Sequence, residues 1–295
     1  MSDLLIKCLS YSQAVRIYVA NTKDIINEIG DRLNYFPSAL AAMGRVLTVG
    51  AMIGSTLKGN ESVTVKVEGN GPIGLIMVDA NPKGEVRAYS QNPHCHFENP
   101  DTHKLDVRNT VGNRGFISVI KDLKLKEPFI GTVPIISGEI AEDFAYYFNI
   151  SEQIPSAVSL GVLVDEDSRA IHAGGFMVQL LPNASEEVIE KLEEKIKQLP
   201  PMSKLLSQGN TIEQIAKLIG DETTTIIETL PLEFKCSCSK ERFARGILSL
   251  GAEEIKQMIE EDKEARTICH FCGNEYYFPQ NELNTILESA SKKRK

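Results

Sequence analysis

The sequence predicts an α+β fold: an N-terminal, mainly antiparallel sheet domain with helices, a helical linker, and a small C-terminal zinc-binding module. Three observations carry this. Short period-two stretches joined by turns dominate the first 181 residues; Val63, Val65 and Val67, for example, alternate with polar neighbours as in a half-buried strand. After Leu181 the pattern changes to helical spacing broken by Gly and Pro. Four of the six cysteines then fall in two tight pairs, Cys236-Ser237-Cys238 and Cys269-His270-Phe271-Cys272. The implied boundaries are 1–181, 182–231 and 232–295.

Residues 4–9 and 15–21 read as a first hairpin. Thr22 caps a helix that carries Asp24 in its first turn and reaches about Asn34. Pro37 opens a second helix over the apolar stretch 40–57, where Gly44, Gly50 and Gly54 imply close packing against a sheet. Strands follow at 62–68, 73–78 and 85–90, the last two joined by Asn81-Pro82-Lys83-Gly84. More strands are expected at 116–121, 129–135, 157–164 and 171–181, with a helix over 138–148. Beyond Pro182, Val188, Ile189, Leu192, Ile196 and Leu199 form a stripe at helical spacing that Pro200-Pro201 stops. A short helix at 202–207 ends at Gly209, Thr211 and Gln214 form a capping box for the next, and Pro231 closes the segment. Helices this short gain most of their stability from packing, so a lost neighbour would melt them. In the last module Ser239 N-caps a helix over 240–250, Gly251 breaks it, and a second helix spans 252–262. Phe243, Ile247, Leu248, Ile255, Met258 and Ile259 supply its core, and Gly273-Asn274 turns into a strand at 275–278.

Two stretches imitate other chemistry. Gly69-Asn70-Gly71-Pro72-Ile73-Gly74 matches a dinucleotide fingerprint in letters, but that fingerprint must open a helix and here a strand-like run follows; a hairpin turn is expected. His94-Cys95-His96, between Pro93 and Pro100, reads as an ordinary loop, and Cys95 lacks the motif of a nucleophile. Cys8 alternates on a strand and reads as a small buried hydrophobe.

Composition narrows the function. The chain has 295 residues, 42% of them hydrophobic, and a net charge of -8. That balance argues against a nucleic-acid partner, whose phosphates need basic patches. The stretch 40–57 is interrupted by Arg45 and rich in Gly and Ala, so a buried helix and no membrane span is expected. The N-terminus lacks a signal-peptide pattern, and clustered thiols suit a reducing, cytoplasmic compartment. The basic tail 291–295 reads as a solvated end.

The paired cysteines offer four soft sulfur donors, the set a structural Zn²⁺ prefers, with an iron–sulfur cluster as the alternative. Four cysteines leave no open coordination position, which disfavours a zinc hydrolase or deaminase. His270 is expected to face away. In an extended C-x-C the two residues lie about 6.6 Å apart, so a Cys236–Cys238 bond would need a backbone kink and would be easily reduced. The spacing therefore permits a redox switch; a thiol-disulfide oxidoreductase using the C-x-x-C is the alternative function.

These residues resemble the redox-regulated 33 kDa heat-shock chaperones along the whole chain. The resemblance rests on both cysteine pairs with their flanks (234–242 and 269–272), on Phe36-Pro37 and Gly44-Arg45, on Gly71-Pro72-Ile73-Gly74, on residues 138–143, and on Ala173-Gly174-Gly175. It implies one zinc per chain held in the reduced, inactive state by Cys236, Cys238, Cys269 and Cys272. It also implies redox-active disulfides joining Cys236 to Cys238 and Cys269 to Cys272 after stress by heat and oxidant. The zinc would then be released and the linker lose order. The active form would be a homodimer that holds unfolded client proteins without ATP and hands them to ATP-dependent chaperones.

Overall fold

A computed structural model of the chain describes residues 2–292, without the side chains of Ser291 and Lys292; the rest of the tail 291–295 lies outside the described residues. The chain divides into two compact units, Met1–Lys235 and Cys236–Lys295.

The first unit runs β1 (Leu4–Ser10), β2 (Val15–Asn21), α1 (Lys23–Leu33), α2 (Pro37–Ser55), β3 (Ser62–Gly69), β4 (Leu75–Ala80) and β5 (Glu85–Ser90). It continues with α3 (Val107–Val111), β6 (Gly115–Asp122), β7 (Phe129–Pro134), α4 (Ala141–Ile150), β8 (Ser156–Val164) and β9 (Ala170–Leu180). Three helices follow, α5 (Glu186–Gln198), α6 (Met202–Ser207) and α7 (Ile212–Ile219), then the strands β10 (Thr225–Pro231) and β11 (Glu233–Phe234). Two sheets result, one in the order β10-β1-β2-β9-β8 and one in the order β11-β5-β4-β3-β6-β7. All pairings are antiparallel except β11 with β5, so the expected α+β class with a mainly antiparallel sheet is borne out.

Helix α2 lies against β2, β8 and β9 of the first sheet and β3, β4 and β5 of the second. It is long and apolar enough to cross a membrane, yet every residue except Pro37 and Arg45 is buried within this unit. The glycines allow the close approach. A Cβ on Gly50 would sit 2.8 Å from Val78, and one on Gly54 would sit 2.7 Å from the Ala80 Cβ. Gly54→Ala is therefore expected to cost about 1–3 kcal/mol as overpacking. At about 2–4 °C per kcal/mol for a unit this size, calorimetry should find a Tm several degrees lower; an unchanged Tm would refute the close contact.

The central strands β1, β2 and β9 of the first sheet bury both of their faces, and strand alternation does the sorting. Leu5, Tyr18, Ala20 and Met177 join the core under α2, while Ile6, Cys8, Ile17, Val19, Phe176 and Val178 join a second core under α5, α6 and α7. Cys8 is thus the buried hydrophobe expected, its thiol pushed up to about 11 by burial first and by Glu213 second. In the outer core Ile215 and Ile219 are the deepest residues from the helices, followed by Met202 and Ala216. The stripe on α5 is shallower: Leu192 is buried, whereas Val188, Ile189, Ile196 and Leu199 are half-buried.

Several expectations shift. Helix α4 starts at Ala141, later than 138, because the buried Asp143 carboxylate folds the preceding turn around itself. It accepts hydrogen bonds from the backbone N–H of Ile136, Ser137, Gly138 and Ile140. Arg45, the charge on α2, reaches the same turn through the carboxylate and carbonyl oxygens of Glu139. Thr225–Pro231 is a strand where a helical linker is expected, Glu233–Phe234 is a further short strand, and α3 is an additional short helix. The run at 69–74 joins antiparallel β3 and β4, as a hairpin turn should. There a Cβ on Gly69 or Gly71 would strike the α3 backbone at Val111 O (1.9 Å) or Thr110 O (2.4 Å).

The second unit contains α8 (Lys240–Leu250), α9 (Ala252–Glu261), β12 (Glu264–Ile268), β13 (Glu275–Pro279) and α10 (Gln280–Lys292). Strands β12 and β13 form an antiparallel hairpin. Its core is small, built on the buried Ile247, Ile255, Phe278 and Leu283.

Candidate metal centre

The two cysteine pairs reach one point by different local means. Cys269-His270-Phe271-Cys272 is the loop of the β12–β13 hairpin. Cys269 N–H donates to the Asn274 carbonyl and Gly273 N–H to the Cys269 carbonyl. Gly273 takes φ 72°, a conformation glycine adopts without penalty. Cys236 and Cys238 lie on an extended stretch that ends at Ser239, whose hydroxyl accepts from Arg242 N–H and starts α8.

All four sulfurs lie within 4.8 Å of one another. Cys236 Sγ is 3.7 Å from Cys269 Sγ, and Cys238 Sγ is 3.4 Å from Cys272 Sγ. A tetrahedron with metal–sulfur bonds of about 2.3 Å places its sulfurs about 3.8 Å apart, so the donors fit a zinc ion in kind and in spacing. Cys269 and Cys272 are buried; Cys236 and Cys238 are half-buried. Among the described residues this is the one group of three or more Cys, His, Asp or Glu side chains gathered for a metal ion. His270 is exposed and outside the group. His94-Cys95-His96 remains a loop, with His94 against the Phe36 ring and Cys95 buried.

One contributor was not expected. The Tyr276 hydroxyl donates to Cys238 Sγ at 3.1 Å, and its ring lies 5.0 Å from that of Phe243. The signal was its place on β13: Tyr276 and Phe278 share the inner face, with the exposed Tyr277 between them. Electrostatics divide the thiols. Burial pushes Cys272 and Cys269 up, despite backbone N–H donors from Asn274 to the first and from Phe271 and Cys272 to the second. At Cys238 burial also raises the pKa, but the Tyr276 hydroxyl and the neighbouring thiols outweigh it and bring the group to about 7. Four sulfurs this close cannot all ionise without a cation to share them. The arrangement can thus bind a soft divalent ion, and it keeps the four sulfurs close enough for disulfides to form once the local backbone and side chains adjust.

Comparison with known proteins agrees. The family profile described as Hsp33 protein matches residues 3–279. A 33 kDa chaperonin of Bacillus licheniformis is 50% identical over 286 residues, which is 97% of this chain and 99% of the relative. The 33 kDa chaperonin of Bacillus subtilis is 48% identical over 290 residues, 98% of this chain and 100% of the relative. The crystal structure of a 33 kDa chaperonin (heat shock protein 33 homolog) from Thermotoga maritima superposes with a TM-score of 0.92 at 33% identity, covering 99% of this chain and 100% of that one.

Proposed function

Because this chain belongs to the Hsp33 family of chaperones, we propose that it is a redox-gated, ATP-independent holdase, silent while its four cysteines are reduced and metal-bound. The observation that carries this reading is the convergence of Cys236, Cys238, Cys269 and Cys272 on one point. When bound, zinc would cross-link the four thiolates and hold them deprotonated. Cys236 and Cys238 are the more exposed of the four, so an oxidant reaches them from solvent. Two disulfides, Cys236–Cys238 and Cys269–Cys272, would take four electrons from the set and leave no thiolate donor. The small core around Ile247, Ile255, Phe278 and Leu283 would then lack its cross-link and unfold.

In this reading residues 1–181 are the chaperone core, 182–231 the redox-sensitive linker and 232–295 the switch module. Unfolding of the module frees the linker, whose helices α5–α7 lift from the first sheet. The uncovered face carries Ile6, Ile17, Val19, Phe176 and Val178, an apolar surface suited to unfolding clients. The active form dimerises, acts in the reducing cytoplasm when stress overwhelms it, and passes clients to ATP-dependent chaperones. The deciding experiment is aggregation of a chemically unfolded test protein with the zinc-loaded reduced chain and with the oxidised chain. Suppression by the oxidised form alone is expected. Equal activity of both forms would sink the gate, and catalytic insulin reduction would favour an oxidoreductase.

A further inference from the structure

One extended run closes an edge of each sheet and ends at the cysteine switch. Strand β10 pairs with β1 and forms the border of the first sheet. Leu232 N–H then donates to the Asp3 carbonyl, and β11 pairs with β5 at the border of the second sheet. Glu233 N–H donates to the Gly84 carbonyl and Lys235 N–H to the Val86 carbonyl; the next residue in the chain is Cys236.

This strap is held more by main chain than by burial. Every residue of β10 except Leu230 is exposed, including Ile226 at 48% and Ile227 at 53%. Its ladder is broken by a bulge: Lys7 pairs with Glu228 and Cys8 with Ile226, so Ile227 has no opposite residue. The side-chain anchors are the Lys7–Glu228 ion pair at 2.7 Å, the buried Leu232, and Phe234 beneath the Arg32 guanidinium. In composition the strap is an apolar, β-prone segment, with Ile226, Ile227, Leu230, Leu232 and Phe234 interrupted by Glu228, Pro231 and Glu233.

We propose that the strap is an internal stand-in for client, and that its release opens the β1 and β5 edges to an extended apolar segment of an unfolding polypeptide, bound by strand addition. The inference rests on the redox-gated holdase reading and adds the chemistry of recognition. Main-chain pairing is indifferent to sequence, which suits a surface that meets many clients. The alternating pockets of a strand edge select apolar, β-prone segments, the same kind of sequence the strap carries.

The test uses the full-length chain, oxidised with peroxide at elevated temperature, and chemically unfolded luciferase as client. Amide exchange is read residue by residue. Because β1 stays paired with β2 on its other side, oxidation should accelerate exchange at alternate β1 amides by 100-fold or more and leave the intervening ones slow. Client should restore protection at those same amides by at least tenfold. A peptide of residues 225–235 should displace the client, and the same peptide with Glu233→Pro, which removes the N–H that pairs with the Gly84 carbonyl, should not. Aggregation suppression with β1 and β5 amides left unprotected by client would overturn the edge proposal and leave the holdase reading standing. Protection that appears without client and rises with protein concentration would also overturn it, by assigning the edge to a second copy. Failure of the oxidised chain to suppress aggregation at all would remove both readings.

Discussion

Ile215→Asp is expected to make the reduced chain suppress client aggregation while its metal is still bound. Ile215 is 0% exposed on α7, in the core that α5–α7 share with the outer face of the first sheet. Deleting a buried Ile side chain costs about 2–5 kcal/mol. A carboxylate left there without a partner adds several kcal/mol more. Helix α7 has eight residues and cannot absorb that loss by its own stability. The core around α2 uses the opposite face of the same strands and should keep its protection. The measurement pairs an aggregation assay with zinc content and amide exchange in β3 and β4. If the variant undocks its helices, keeps its zinc and still fails to hold client, the face under α5–α7 is not the gate. Leu192 is the better target on α5; Ile196 is half-buried and should give a weaker response.

Stripping the metal under reducing conditions should unfold residues 236–295 and spare the two sheets. Among the described residues, four fully apolar buried positions anchor the second unit, too few for a module of this size to stand alone. Structural zinc contributes about 10–16 kcal/mol of apparent binding free energy in comparable small modules, and that energy is folding energy. Chelation should therefore abolish amide protection in α8–α10 while β3 and β4 remain slow. Graded variants sharpen the test. Cys238→Ser removes a donor and should prevent stable loading. Tyr276→Phe removes one hydrogen bond to a ligand sulfur and should weaken zinc affinity by about tenfold. A second unit that keeps its protection without metal would refute the staple.

What could be read from sequence divides along physical lines. Pro37 followed by an apolar run announced α2, and the glycines announced its contacts, because close packing leaves a mark in composition. The cysteine pairs announced the metal centre, since few other roles place four sulfurs at such spacings. Strand β10 left a mark only in composition, as the β-branched Thr225, Ile226, Ile227 and Thr229; exposed along nearly its whole length, it has no alternation to display, and Pro231 read as the end of a helical segment. Helix α10 carries Leu283, Ile286, Leu287 and Ala290 at helical spacing, but it follows Pro279 directly and has no Ser, Thr, Asp or Asn cap to mark its start. Tyr276 was visible as a strand residue, yet its hydrogen bond to Cys238 depends on how the hairpin folds back on residues 236–238, which no local pattern encodes.

The two-sided first sheet also sets a timescale. In the proposed cycle, α5–α7 leave one face and the β10–β11 strap leaves the edges while α2 keeps the other face, so the pairings of β1 with β2, β2 with β9 and β9 with β8 are never dismantled. Recovery is then the redocking of three short helices and one edge strap onto a finished template. Helix formation takes about a microsecond or less, whereas disulfide reduction and reshuffling take seconds to hours. The chaperone's memory of an oxidative episode would accordingly last as long as its disulfides do, and the cell's reducing enzymes would decide when its clients are let go.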